Sequence, residues 1–144
     1  MALVDSQDRH ALEDVAREPR PLADAHNAGG PAAAIGAFSA GYLEHGGRAE
    51  WLTHFLADVM PCEGGGDDEP QPWWLFGDYS GSGYVSPAQF DAGSWATASA
   101  ATGRTDPHNG YDVGANVGWW SAHIEHPGGT GGWPTCWWRG VVPP

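Results

Sequence analysis

A carboxylic acid can protonate a leaving oxygen near neutral pH only where its surroundings hold its pKa up. Glu63 has a setting of that kind. It follows an apolar helical stretch and Cys62, and it precedes Gly64, Gly65 and Gly66. The negative end of a helix dipole disfavours a carboxylate, and walls of Trp and Phe disfavour it further. The alternative is a solvated glutamate in a glycine loop. Tryptophan, present nine times, is the second source of chemistry. Indole faces stack on the C–H faces of sugars. Trp51 and Trp120 fall on helical apolar stripes and read as core. Trp73, Trp74, Trp137 and Trp138 fall in loops, where more exposure is expected. His123, Glu125 and His126 form a third group, H-x-E-H. Its spacing matches no zinc motif, and a helix C-terminus that favours a cationic imidazole explains His126 more simply. No phosphate loop, nucleophile elbow or Cys–His pattern is present. Neither a metal nor a cofactor is expected.

The elements that must position these residues are short. Trp51, Leu52, Phe55, Leu56, Val59 and Met60 recur at three- and four-residue spacing, so 48–60 reads as an amphipathic helix. Pro61 should weaken its end. Residues 67–86 read as loop, with a short hairpin around Gly81–Gly83. Asp91 can cap a helix over 92–101 that Gly103 ends; Ser86-Pro87 is an alternative start. Asp106-Pro107 has the form of a cap followed by proline at the first helical position. Val113, Val117, Trp120 and Ile124 then share one face, and Pro127-Gly128-Gly129 stops the helix near His126. Residues 1–47 carry a helical candidate at Ser6–Arg17 and then a stretch rich in Ala, Gly and Pro. They read as a linker or an arm of low order that docks on another protein.

Composition narrows the function. The chain has 144 residues, about one domain. Six arginines and no lysine face 18 acidic residues, for a net charge of −12. No basic surface exists to displace phosphate counterions, so nucleic acid is not expected as a partner. A polybasic membrane anchor is equally unexpected. No apolar run approaches the roughly 20 residues that a membrane span needs, and the acidic N-terminus shows no secretory signal peptide. Gly and Pro make up about a quarter of the chain, near the loop-rich range. Cys62 and Cys136 are too few for a zinc knuckle. One disulfide, worth about 4 kcal/mol through loop closure, and two separate buried thiols both fit the composition.

In order, the chain carries a helix ending in MPCEGGG, then GYVSPAQFDAGSW, then a helix with GANVGWW, then GWPTCWW. This succession resembles the lysozyme-like superfamily, in particular the branch of soluble lytic transglycosylases and resuscitation-promoting factors. That branch has a Cys-Glu-Ser-Gly-Gly helix end, an aromatic-x-Gly-Leu-x-Gln-Phe turn, a Thr-Trp helix and a late Trp-Pro-x-Cys segment. The resemblance covers about residues 48–138; residues 1–47 lie outside it. It implies a mostly α fold with a small hairpin flap beside a glycan cleft. It also implies a Cys62–Cys136 disulfide and Glu63 as the catalytic acid. Tyr84 matches the aromatic that opens the turn motif and Gln89 the glutamine that lines the cleft. Trp95 matches a packing tryptophan, and Asn116 and Val117 the Asn-Val of the later helix. Trp74 and Trp137 are the loop tryptophans expected beside the glycan.

Two departures stand out. Gly64 replaces a serine, and Ser86-Pro87 replaces Gly-Leu. The resemblance implies cleavage of peptidoglycan between N-acetylmuramic acid and N-acetylglucosamine, in a cell-wall or virion setting outside the cell. Hydrolysis normally needs a second carboxylate. Asp78 and Asp91 are nearest in sequence, but Asp91 is better used as a helix cap, which leans toward the lytic route. The departures support a rival reading, a non-catalytic wall-binding or virion module on the same fold.

Overall fold

The computed structural model describes residues 30–64, 72–77 and 83–144. Helix α1 spans Pro31–Glu44. A second helical rod is made of α2 (Ala49–His54), a π-turn (Phe55–Val59) and α3 (Met60–Gly64). Helices α4 (Ala92–Thr102) and α5 (Gly110–His123) follow. Single 3₁₀ turns lie at Trp73–Leu75 and Cys136–Trp138. Among the described residues the only β feature is an isolated antiparallel bridge between Val85 and Phe90. The mostly α class is therefore observed. The hairpin expected at Gly81–Gly83 lies partly outside the described residues; from Gly83 on, the chain makes a tight turn closed by that bridge.

The low-order arm expected over residues 1–47 needs correction at residues 31–44. Proline at the first position starts α1, and Ala34, Phe38 and Tyr42 bury one row of it. That row lies against Gly110, Gly114 and Gly118 of α5. A Cβ on Gly114 would overlap the Phe38 carbonyl oxygen, and one on Gly118 the Tyr42 carbonyl oxygen. Gly41 returns the contact against the Tyr111 carbonyl. Small residues at four-residue spacing let two helix backbones approach closely. So α1 is half of the central helix pair, and the domain begins before Arg48. Residues 1–29, including the helix expected at Ser6–Arg17, lie outside the described residues.

The second rod passes through Pro61 instead of ending there. Proline offers no amide to the preceding turn and crowds its carbonyl. The widened π-turn just before it, with the Met60 N–H bonded to the Phe55 carbonyl, accommodates that. Helix α4 starts and stops as its sequence indicates. The Asp91 carboxylate accepts from the Ser94 N–H at 2.7 Å, and Gly103 ends the helix at a φ of 73°. Helix α5 starts later than Asp106-Pro107 suggests. Asn109 is its cap, accepting from the Asp112 N–H, while Asp106 closes a local turn onto the His108 N–H. It ends at His123, so His126 lies beyond the helix.

Two outcomes test this arrangement. A fragment beginning at Arg48 lacks α1 and should show no cooperative thermal transition, whereas the full chain should show one. Gly114→Ala should cost about 3 kcal/mol by overpacking, read as a lowered urea midpoint; an unchanged midpoint would mean the helices separate easily.

Candidate functional site

Glu63 occupies the last turn of the second rod, and three separate contacts enclose that turn. The first is covalent: Cys62 and Cys136 form a disulfide, as the resemblance implied. It fixes the helix end to the C-terminal loop. The second is a close approach. A Cβ on Gly64 would lie 2.6 Å from Pro87 Cβ and 2.8 Å from the Pro87 carbonyl oxygen. The third closes the ring, because the Trp133 indole N–H donates to the Ala88 carbonyl at 2.8 Å. Helix end, turn and C-terminal loop thus hold one another around Glu63.

The two positions that depart from the motifs the sequence resembles meet at the second contact. Gly64 and Pro87 touch, and any side chain at 64 would meet the backbone at 87 as well. Ser86 takes a left-handed φ of 66°. That conformation costs a non-glycine residue roughly 1 kcal/mol. Its hydroxyl offsets part of this by accepting from the Ala88 N–H at 3.1 Å. Gln89 is also left-handed, at 57°, and its amide nitrogen lies 3.4 Å from the Ser86 carbonyl. Strained non-glycine residues of this kind persist only where surrounding contacts over-determine them. Here the Val85–Phe90 bridge does so from both sides, at 2.8 and 3.0 Å. Phe90 is then gripped edge-on by Trp95 and Trp133.

Glu63 is half-buried. Burial pushes its carboxyl above the usual glutamate range, and the positive charge of Arg139 partly opposes this. No other charge perturbs it among the described residues. Asp91 is spent on its cap and held below the usual aspartate range by the Ser94 backbone and hydroxyl. Asp78 lies outside the described residues. Tyr84, 49% exposed, leads into the turn beside Glu63, and Gln89 follows within it.

Two expected glycan contacts are corrected. Asn116 is fully buried, and its amide joins α4 to α5: it accepts from the Thr102 hydroxyl and donates to Ser99 Oγ and the Arg104 carbonyl. A side chain so enclosed and so fully bonded cannot reach a glycan. Trp137 is also fully buried, packed edge-on against Trp51, His54 and Phe55. The His54 ring bonds its carbonyl. Trp74 is partly exposed, on the 3₁₀ turn after Pro72. Trp95 is the packing residue that the resemblance implied. His123 stacks on Trp119 and His126 on Trp138, so the H-x-E-H histidines face different partners.

Sequence reasoning missed Arg139 and Trp133. Arg139 was visible as one of six cations, three residues after Cys136; Trp133 carried no signal beyond its Gly-Trp-Pro setting. The chain matches no protein-family model, no curated protein and no solved structure. No helix among the described residues is long and apolar enough to cross a membrane.

Two measurements follow from this geometry. Gly64→Ser should destabilise by about 1–3 kcal/mol, seen as a lower melting temperature; full stability would mean that the 86–89 turn gives way. A carboxyl pKa raised by folding contributes stability at low pH that is lost as pH rises through the folded pKa. Glu63→Gln should therefore unfold at higher urea than the parent at pH 7. The difference should vanish below the carboxylate range. An equal gap at both pH values would separate it from ionisation.

Proposed function

We propose that this chain cleaves peptidoglycan glycan strands between N-acetylmuramic acid and N-acetylglucosamine, with Glu63 as acid and then base. The observation that carries the reading is a carboxyl, half-buried and raised in pKa, held between a strained turn and a disulfide-anchored loop. The order of motifs around it, similar to lytic transglycosylases, supplies the substrate class.

In this reaction protonated Glu63 gives its hydrogen to the glycosidic oxygen, and the bond to the anomeric carbon of muramic acid breaks. Glu63, now a carboxylate, takes the proton of that sugar's 6-hydroxyl. The hydroxyl oxygen bonds to the anomeric carbon and leaves a 1,6-anhydro end. The nucleophile belongs to the substrate, so one carboxylate serves both steps. Hydrolysis normally uses two carboxylates, and Asp91 is already spent on its helix cap, which favours the lytic route. Tyr84 offers an exposed ring for a sugar face, and Gln89 an amide for its substituents.

The second reading, an inert wall-binding or virion module, draws on Gly64, which removes a hydroxyl beside the acid. Digestion of purified peptidoglycan with mass analysis separates the two. The parent protein should release fragments with anhydro-muramic ends, and Glu63→Gln should release at least about 10²-fold fewer, the scale of lost acid–base catalysis. Equal release by both proteins would remove Glu63 from the reaction. No release by either, with wall binding retained, would establish the inert module.

A further inference from the structure

A second cleft opens at the C-terminal loop, with a volume of about 390 Å³. Glu125, His126, Gly128, Gly129, Thr130 and Trp138 line it, and neither Glu63, Tyr84 nor Gln89 does. Its floor is built around one ring. The Trp138 indole N–H donates to the Gly128 carbonyl at 3.0 Å. Gly128 has no room for a side chain, because a Cβ would lie 2.6 Å from the Trp138 ring. His126 lies nearly parallel to that ring, at 12° and 5.7 Å between centroids. Trp138 is thus fixed in orientation, yet it remains 58% exposed.

The polar groups around this platform are unspent. The Gly128 N–H donates to His126 Nδ1 at 3.0 Å, so the neutral ring carries its hydrogen on Nε2. Among the described residues, His126 Nε2, the Glu125 carboxylate and the Thr130 hydroxyl have no hydrogen-bond partner. The cleft therefore offers one donor, one strong acceptor and one group that is both, beside a flat apolar face. An ammonium ligand would use the aromatic face and the carboxylate, but it could not use a donor. A sugar ring uses all of them, since each hydroxyl both donates and accepts and the C–H face covers the indole.

We propose that this cleft is a saccharide-binding site, seating a neutral sugar ring on Trp138 with its hydroxyls on Glu125, His126 and Thr130. It lies apart from the Glu63 site and does not depend on Glu63 being catalytic. A fixed ring and convergent polar groups mark a pre-formed pocket.

The test is titration of tetra-N-acetylchitotetraose into the full chain, followed by NMR. The Trp138 indole resonance and the Gly129 and Thr130 amides should shift saturably. Trp138→Ala should weaken that binding at least tenfold. Glu125→Ala, on an exposed side chain without a partner, should weaken it measurably with the fold intact. Shifts confined to Tyr84 and Gln89 would overturn the proposal and leave the glycan-cleavage reading standing. Shifts confined to the Trp138 cleft would support the proposal and deprive the cleavage reading of its substrate contact. Choline shifting the cleft where the tetrasaccharide does not would make it a cation site and overturn the proposal.

Discussion

The missing side chain of residue 64 lets the rest of the site close. Without it, the helix end carrying Glu63 seats directly on the Pro87 backbone. That contact places the turn where the Ala88 carbonyl meets Trp133, three residues before disulfide-bonded Cys136. The cysteine then returns the chain to Cys62, next to Glu63. A side chain at 64 would push the turn outward and strain the other two contacts. Two features that look independent in sequence, Gly64 and Ser86-Pro87, thus belong to a single interface.

The parts of the fold legible in the sequence are those that rest on local chemistry. Asp91 and Gly103 bound α4 because a short carboxylate and a left-handed glycine satisfy helix ends wherever they occur. The stripe from Trp51 to Met60 marks its rod because large apolar side chains repeat on one face. Helix α1 escaped the same reasoning. Its contact with α5 is made by Ala and Gly against backbone, so the residues that matter most there count as linker composition. The spacing Gly110, Gly114, Gly118 held the signal, but it acquires meaning only beside Ala34, Phe38 and Tyr42. Asn116 and Trp137 failed for a related reason. Asparagine and tryptophan suit both a glycan and a satisfied core, and only tertiary position separates these uses. The tail carrying Trp137 reads as surface until the disulfide and His54 draw it inward.

Other polar groups show where the interior is under load. Trp137 fills the space between the second rod and the C-terminal loop, yet its indole N–H has no partner. A buried unpaired donor costs about 1–3 kcal/mol, which the packing of so large a ring more than offsets. Asp112, buried at the start of α5, is pushed up to about 6 by desolvation. One of its oxygens accepts from the Thr105 and Asp106 amides, while the other is unpartnered. The first cost lies between the second rod and the C-terminal loop, and the second at the start of α5 in the central helix pair. The frame tolerates them because the α1–α5 contact and the aromatic cluster are extensive.

The balance at Glu63 is of another kind, since under the proposed function the group works in both protonation states. In the proposed reaction the carboxyl first gives up a proton and then takes one back from a hydroxyl. Burial alone would favour the first step by raising the pKa, and it would improve the carboxylate as a base. Carried too far, it would make the acid too weak to give its proton to the glycosidic oxygen. Arg139 limits that rise by stabilising the anion. It does so from an exposed position just beyond the disulfide loop, where solvent screens its charge. The correction is therefore modest, and it leaves the acid raised. In a chain of net charge −12, this arginine is the charge that opposes the effect of burial at the carboxyl. Arg139 lies three residues past Cys136, so the disulfide that anchors the helix end also anchors the loop that carries this charge.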